Sequence, residues 1–564
     1  MTKTNTKNLA ARIAKIARDQ FGFRTFLPGQ KEAIESVLSG HDTLVVKPTG
    51  SGKSAIYQIA TALLPGPAIV VSPLIALQKD QVDSIAEAEA GEAAVVNSTL
   101  RVSEAKEAFE KLDEGRLDFL FLAPEQFHNP EMLQRVKDAK PSLFVVDEAH
   151  CISEWGHDFR PDYLKLGGVV EELGHPVVLA LTATAAPRVR EEIVERLGMK
   201  KPRVIVRGFD RPNIWLGVRY AESEAAKRDA LLDAVEEAEK PGIVYTATRR
   251  HAEEIAKALE ERGVRVAWYH GGMKAAERAQ IQEEFMGGDA GVIVATSAFG
   301  MGVDKPNVRF VFHYDISDSI DSYYQEIGRG GRDGNPARAL LFYRPEDLAL
   351  QNFFKGGGKL EEEKLKQVAE TVIEEDGPVD AEELKDKVGV SDRKLTKALN
   401  RLQEAGAVEV LPDGEVVAAT EPEKIDEAVH EAAKAQQEYK EYEHLRVEKM
   451  RMYAELRDCR REYLLNYFGE DVSGPCGNCD RCQAQEKTAA PEPKPRTQRV
   501  STKRAPEQQA GPFPLKTRVV HSEWGKGVVE NYEGDKIIVL FDDVGRKTLS
   551  LAAVLENKLL DRAA

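Results

Sequence analysis

Thr43-Leu44-Val45-Val46-Lys47-Pro48-Thr49-Gly50-Ser51-Gly52-Lys53-Ser54 sets the reading of the first third of the chain. Four β-prone residues run into a turn of small residues, and Ala55-Ile56-Tyr57 beyond it begins a helical pattern. A strand, a turn with free backbone N–H groups and a helix N-terminus form a cradle for phosphate. Thr49, Gly50, Ser51 and Gly52 line that cradle. Lys53 brings charge to the β- and γ-phosphates, and the Ser54 hydroxyl offers a ligand to Mg²⁺. The strict eight-residue pattern has Gly where this chain has Lys47, and a Gly/Ser turn before a helix is often only a turn.

A second stretch removes that ambiguity. Phe144-Val145-Val146-Asp147-Glu148-Ala149-His150 is an apolar strand ending in two carboxylates. Asp147 at the strand end suits a magnesium ligand, and Glu148 suits a group that orients the attacking water. One strand-end acid commonly caps a helix; two of them downstream of a phosphate loop indicate hydrolysis of a nucleoside triphosphate.

Around these stretches, short apolar runs at 43–47, 68–72, 118–122, 143–146 and 177–181 alternate with helical patterns. The alternation restarts at 242–245, 264–269, 291–295, 308–313 and 338–342. It predicts an α/β fold with two tandem RecA-like, doubly wound domains, residues 1–207 and 208–345, joined near 208–213. In the second, Gln325-Glu326-Ile327-Gly328-Arg329-Gly330-Gly331-Arg332 places two arginines three apart, on one face of a helix. They are either solvated surface charges or, with a phosphate loop across a cleft, groups that stabilise the transferred phosphoryl.

The 564 residues, 42% hydrophobic and 30% charged, describe a globular chain of roughly four domains. Met1 to Asn8 is polar and no apolar run approaches the ~18 residues of a membrane span, so a cytoplasmic protein is expected. The net charge of −16 does not exclude nucleic acid, because phosphate is neutralised locally by clustered Lys and Arg. Four of the five cysteines, Cys459, Cys476, Cys479 and Cys482, fall within 24 residues and supply the thiolates of a closed, structural Zn²⁺ site.

These residues resemble the RecQ helicases, a branch of the superfamily 2 DNA helicases. The likeness covers about residues 17–344 and 453–482. It runs in order through Phe21-Gly22-Phe23-Arg24-Thr25-Phe26-Leu27-Pro28-Gly29-Gln30, the phosphate loop, Ser72-Pro73-Leu74-Ile75-Ala76-Leu77-Gln78 and the Asp147–His150 box. It continues through Thr182-Ala183-Thr184-Ala185, Phe209-Asp210-Arg211-Pro212-Asn213, Tyr269-His270-Gly271-Gly272-Met273 and Ala298-Phe299-Gly300-Met301-Gly302-Val303-Asp304-Lys305 to the twin arginines.

The resemblance implies ATP-driven, 3′-to-5′ unwinding of duplex DNA in repair or recombination. It places Phe23 and Gln30 at the adenine, adds Asp304 to the nucleotide site, and sets Gln325 with Lys53, Asp147, Glu148, Arg329 and Arg332 as the catalytic group. Leu27 stands where the family usually has Arg, and Gly330 where it usually has Ala. Trp155 and Phe159, just past the box, read locally as core. The resemblance instead makes Trp155, His157, Phe159 and Arg160 a loop that stacks single-stranded bases.

Beyond 345, three helical patterns and a hairpin predict a winged helix over 346–420. Its third helix, 392–406, offers Arg393, Lys394, Lys397 and Arg401 to duplex phosphates, or a merely solvated basic face. A helical zinc module follows over 421–484, then a basic Pro/Ala/Gln-rich tether over 485–513. Residues 514–564 alternate polar and apolar around glycines and predict a small β-barrel. Residues 517–529 are similar to the Tudor-like barrel ending UvrD/PcrA-type helicases, which implies a protein partner, RNA polymerase among the candidates. The winged helix here precedes the cysteines, reversing the usual RecQ order. Competing readings are an RNA helicase sharing the two-domain engine, and a DNA-binding factor that uses ATP as a switch and docks on transcription machinery. Expected ligands are ATP, Mg²⁺, Zn²⁺ and DNA, both single-stranded and at duplex junctions.

Overall fold

Strands buried on both faces of a parallel sheet read as near-continuous apolar runs, and in the computed structural model the phosphate-loop strand is of this kind, with its one polar residue, Thr43, paired through its hydroxyl with Ser36 Oγ at 2.8 Å. It is β1 (Thr43–Val46) of a seven-stranded sheet with β2 (Ala68–Val71), β3 (Ala93–Val96), β4 (Phe119–Leu122), β5 (Leu143–Val146), β6 (Val177–Thr182) and β7 (Arg203–Val206). Their order is β3-β4-β2-β5-β6-β1-β7, and every pairing is parallel. Ile34, Val37, Ile56 and Ile59 from the helices Gln30–Leu38 and Ser54–Thr61 close one core with Val45, Val70, Val145 and Leu179. The structure describes residues 3–562 except 49, 74, 98–101, 154, 156–158, 301–302, 304, 350, 352–361, 376, 412–414, 422–423, 471, 473, 490–511, 516, 534 and 542–544.

A second all-parallel sheet follows, ordered β10-β11-β9-β12-β13-β8. Its strands are β8 (Ile214–Tyr220), β9 (Gly242–Tyr245), β10 (Val266–Tyr269), β11 (Val292–Ala295), β12 (Phe310–His313) and β13 (Ala337–Tyr343). Three strands absent from the sequence reading, β3, β7 and β8, all lie at sheet edges. An edge strand leaves side chains in water, so Arg203 and Arg219 interrupt the apolar run that marks an interior strand.

Residues Glu346–Glu448 form a separate compact unit. Helices Glu362–Glu374, Ala381–Val388 and Asp392–Glu404 precede an antiparallel ribbon of β14 (Val408–Val410) and β15 (Val416–Ala418). Leu365, Val368, Leu384, Leu395 and Leu402 fill its core. Ile425, Ala428, Val429 and Ala432 join them from the 31-residue helix Ile425–Glu455.

The helix Ile425–Glu455 ends before the cysteines and the chain restarts as Arg460–Tyr467, because Cys459 takes an extended backbone and opens the new helix. The helix Asp480–Ala489 carries regular structure past the expected start of the tether at 485; most of that tether lies outside the described residues.

The C-terminal strands β16 (Arg518–His521), β17 (Gly525–Glu533), β18 (Lys536–Phe541), β19 (Gly545–Ser550) and β20 (Leu560–Arg562) form an antiparallel sheet in the order β19-β18-β17-β16-β20. This corrects the expected barrel. Among the described residues the two edges, β19 and β20, do not pair: β20 is three residues long and the helix Leu551–Glu556 intervenes, so the sheet stays open around Val519, Val529, Ile537, Val539 and Phe541. Among the described residues no helix is long and apolar enough to cross a membrane.

Candidate active site

The phosphate loop leaves β1 and enters the helix Ser54–Thr61. Gly50 and Gly52 hold φ of +75° and +68°, which turns the backbone into a cradle that side chains with Cβ resist. Lys53 is half-buried and donates to the carbonyls of Lys47 and Pro48 at 3.2 and 3.4 Å. Burial lowers its pKa, while the nearby Glu148 and Asp147 oppose that effect. Gln30 Nε2 donates to the Gly52 carbonyl at 2.9 Å, and its Oε1 accepts from Leu27 N at 2.7 Å, so Gln30 braces the loop from outside. Phe23 is 41% exposed and stacks on Phe21 with ring centres 6.2 Å apart. Leu27, standing where Arg is usual, is also exposed.

Asp147 and Glu148 follow β5, with β6 between them and β1 in the sheet. Glu148 sits at φ +47°, turning its carboxylate back beside Asp147, whose Oδ1 accepts from Glu148 N at 3.0 Å. Burial first, then Glu148, pushes the Asp147 carboxyl up to about 7. Two acids enclosed beside a lysine and the Ser54 hydroxyl make a donor set that calls for a hard cation. His150 Nδ1 lies 2.9 Å from Thr182 Oγ1, and that hydroxyl donates to the Thr184 carbonyl at 3.0 Å. The acidic box and the end of β6 are therefore one network. Tyr163 adds to it, donating to the Asp147 carbonyl at 3.0 Å.

Arg329 and Arg332 come from the second sheet domain, after the helix Ile320–Ile327 that carries the half-buried Gln325. Both donate to the Val303 carbonyl, at 3.5 and 3.2 Å. Arg332 Cδ lies 3.4 Å from where a Cβ on Gly50 would sit, so this arginine lies against the phosphate loop of the other domain.

Past the acidic box, Trp155 is half-buried with the Arg188 guanidinium 3.4 Å from its ring centre. Phe159 is also half-buried, and Arg160 donates to the Pro73 carbonyl at 3.0 Å. In the separate unit, Lys394 and Lys397 are exposed on Asp392–Glu404, while Leu395, Ala398 and Leu399 face its core. Thr49, His157, Asp304 and the side chain of Arg393 lie outside the described residues.

The four cysteines converge, with all Sγ atoms within 4.8 Å of one another and Cys476 and Cys482 at 4.0 Å. A tetrahedral Zn²⁺ with ~2.3 Å bonds to sulfur spaces its ligands about 3.8 Å apart, so the set fits that ion. The module caps β8: Leu216 bridges Cys479, Asn478 Nδ2 donates to the Pro212 carbonyl at 2.9 Å, and Val218 N donates to Asp480 Oδ2 at 3.2 Å. The buried Arg460 forks onto Asp480 at 2.5 and 3.0 Å. The tail sheet reaches the same module through Arg518 N, which donates to Asp458 Oδ2 at 3.0 Å, and through Glu530, clamped by Arg451 and Arg546.

Sequence reasoning passed over three groups here. Lys47 was seen only as a departure from the loop pattern, yet it is buried and donates to the Pro28 carbonyl. His150 lay inside the acidic box without a role. Arg211 lay inside the inter-domain segment, where only a hinge was read; an arginine among Asp, Pro and Asn beside a chain break in regular structure was the available signal.

Known proteins resemble the chain over most of its length. The DEAD/DEAH box helicase family matches residues 27–193, the helicase conserved C-terminal domain 226–334, and the RecQ zinc-binding family 422–483. The chain is 38% identical to a probable ATP-dependent DNA helicase RecS of Bacillus subtilis, over 82% of this chain and 89% of that protein. It is 37% identical to the ATP-dependent DNA helicase RecQ of Pasteurella multocida over 82% of this chain, and spans 61% of that longer protein. A solved structure of the Mycobacterium smegmatis helicase Lhr bound to ssDNA and AMP-PNP has a TM-score of 0.46 at 22% identity, covering 72% of this chain and 60% of that one.

Proposed function

The chain belongs to the RecQ family of ATP-dependent DNA helicases, and we propose that it moves 3′ to 5′ along one strand, separating duplexes in DNA repair or recombination. The observation that carries the reading is Arg332 lying against Gly50, because a cation of one domain then stands beside the loop that would hold the phosphates in the other. ATP with Mg²⁺, when bound, supplies a phosphoryl group whose charge grows in transfer. Lys53 and the N–H groups of 49–54 hold the phosphates, and Ser54 and Asp147 hold the magnesium. Glu148 orients water, with Gln325 beside the arginines; Arg329 and Arg332 offset the developing charge. Phe23 and Gln30 bound the adenine, and Asp304 completes the nucleotide site. Trp155, His157, Phe159 and Arg160 receive single-stranded bases, and Arg188 stacked on Trp155 relays their arrival to the segment after β6.

The unit Glu346–Glu448 we read as a winged helix whose Arg393, Lys394 and Lys397 meet duplex phosphates. The tail sheet we read as a surface for a protein partner, with RNA polymerase the candidate its likeness offers; the Arg518 end of its interior strand β16 is already met by Asp458 of the chain itself.

Strand separation on matched DNA duplexes with a 3′ or a 5′ overhang, with RNA duplexes alongside, tests this reading. The 3′-tailed DNA should be unwound at least about tenfold faster than either alternative. Preference for the 5′ tail or for RNA removes the proposed polarity or substrate.

A further inference from the structure

The two arginines that reach the phosphate loop sit on a stretch that has little regular structure of its own. The helix Ile320–Ile327 ends just before them, and the last carbonyls of a helix lack intrahelical partners while carrying the negative end of its dipole. The turn closes the helix's own last carbonyls, Gly328 N donating to the Tyr324 carbonyl and Gly330 N to the Ile327 carbonyl, both at 3.0 Å, and the carbonyls of the turn itself are met by a residue more than a hundred positions away. Arg211 donates through Nη1 to the Gly328 carbonyl at 3.1 Å, and through Nη2 to the carbonyls of Gly330 and Gly331 at 2.8 and 3.0 Å. Asn213 Nδ2 donates to the Gly331 and Asn335 carbonyls at 2.8 and 2.9 Å.

Gly331 is at φ +56°, and a Cβ there would come within 2.5 Å of Asn213 Nδ2, so that position has no room for a side chain. The far side of the loop is held separately, by the fork of Arg309 onto Asp333 at 2.7 Å for both oxygens. Arg211 and Asn213 therefore brace the carbonyl side of 328–331, the piece that carries Arg329 and leads into Arg332, while Gly331 N donates to the Val308 carbonyl at 2.8 Å.

Arg211 is itself held from the other direction. Its neighbour Asp210 accepts from Arg461 Nη1 at 2.7 Å, and Arg461 Nη2 donates to the Ile214 carbonyl at 2.6 Å, bracketing the segment from the helix that follows Cys459. Phe209 stacks on Phe468 of the zinc module with ring centres 4.5 Å apart, and Phe209 N donates to Glu470 Oε1 at 3.0 Å.

We propose that Arg211, assisted by Asn213, is a positioning residue for ATP hydrolysis: anchored on the zinc module through the Asp210–Arg461 pair, it holds the backbone of 328–331 so that Arg329 and Arg332 meet the phosphates. The proposal rests on the reading of those two arginines as transition-state groups. It touches no substrate, so its effect runs through them. A planar fork serving three converging carbonyls is a task for guanidinium, and a lysine at the same place meets it only in part. A displacement of about 1 Å of a catalytic group costs on the order of 100-fold in rate, which bounds the effect.

The test is steady-state, DNA-stimulated ATP hydrolysis by the full chain as R211A, R211K, R332A and the double variant R211A/R332A, with zinc content and thermal melting recorded for each. R211A should lower kcat by ~10- to 100-fold and leave KM for ATP within about threefold, with one zinc per chain, and R211K should recover part of the loss. In the R332A background the R211A change should cost clearly less than it does alone, because the part of its effect that runs through Arg332 is already lost and only the part through Arg329 remains. A kcat for R211A within about twofold of the parent, while R332A is impaired, overturns the proposal alone. So does a fully additive double variant, or a loss in R211A that tracks melting and zinc content and is not relieved by R211K. Unimpaired hydrolysis in R332A instead removes the arginine reading on which the proposal rests.

Discussion

The two parallel sheets are built alike and equip the cleft in different ways. In the first, the chemistry is local: Lys53 and Ser54 follow β1 within eight residues, and Asp147 and Glu148 are the next two residues after β5. In the second, the backbone around Arg329 accepts from Arg211, which lies outside the sheet, and β8 is capped by the zinc module. A site made by the ends of interior strands is as rigid as the core beneath it. A site on a loop is as rigid as whatever distant groups satisfy its carbonyls. The first half should therefore tolerate loss of the module, and the second should not.

The largest expected effect breaks or upholds that contrast directly. Cys479→Ser removes a zinc ligand from a site of the type that contributes on the order of 10 kcal/mol to folding. Zinc content should fall from one per chain to none. Hydrogen exchange should accelerate at least about tenfold through 208–216 and 328–335, with β1 and β5 as protected as before. Equal loss of protection in β1 would show that both halves depend on the module.

A pair of alanine substitutions sharpens the comparison at single positions. Gly331→Ala adds a clash with Asn213 and the Asn335 carbonyl, the latter 2.6 Å from the new Cβ, to the strain of positive φ, and should cost about 3 kcal/mol. Gly50→Ala meets nothing closer than Arg332 at 3.4 Å and should cost only the strain, about 1 kcal/mol. Urea unfolding of the two variants gives the ranking, and a reversed order would place the tighter packing in the phosphate loop.

The smallest effect concerns Lys47. Burial, with Lys53 adding to it, lowers its pKa from 10.5 to about 8. Between those values the unfolded chain holds a proton there that the folded chain has released, so stability rises with pH across that window and Lys47 opposes folding below it. Lys47→Met should flatten this rise between about pH 8 and 10.5, read by thermal melting across the range. A slope unchanged from the parent would assign the rise to other groups.

Legibility followed burial. β1 and β5 are enclosed on both faces, so their residues are apolar apart from Thr43, whose hydroxyl pairs with Ser36 Oγ, and each run could be read at once. β3, β7 and β8 are edges, where Ala, Arg and Gly are admitted and the run is lost. The phosphate loop, the acidic box and the cysteine cluster were legible because their spacing is dictated by local chemistry. The closure expected of the tail was not: Gly525, Gly527 and Gly545 mark turns and close strand approach in an open sheet as well as in a barrel.

Two α/β domains with a phosphate loop, two acids and two arginines, and four thiols close enough along the chain to share an ion, are all matters of period and short spacing, which the backbone enforces locally. That Arg332 faces Gly50, that Arg211 bonds the turn behind it, and that the zinc module caps β8 emerge from the packing of distant segments. Those partners are separated by between 117 and 282 positions, counted as 328 − 211 and 332 − 50, and no local rule relates them. What relates them is the need of buried carbonyls and charges for partners once two sheets pack together.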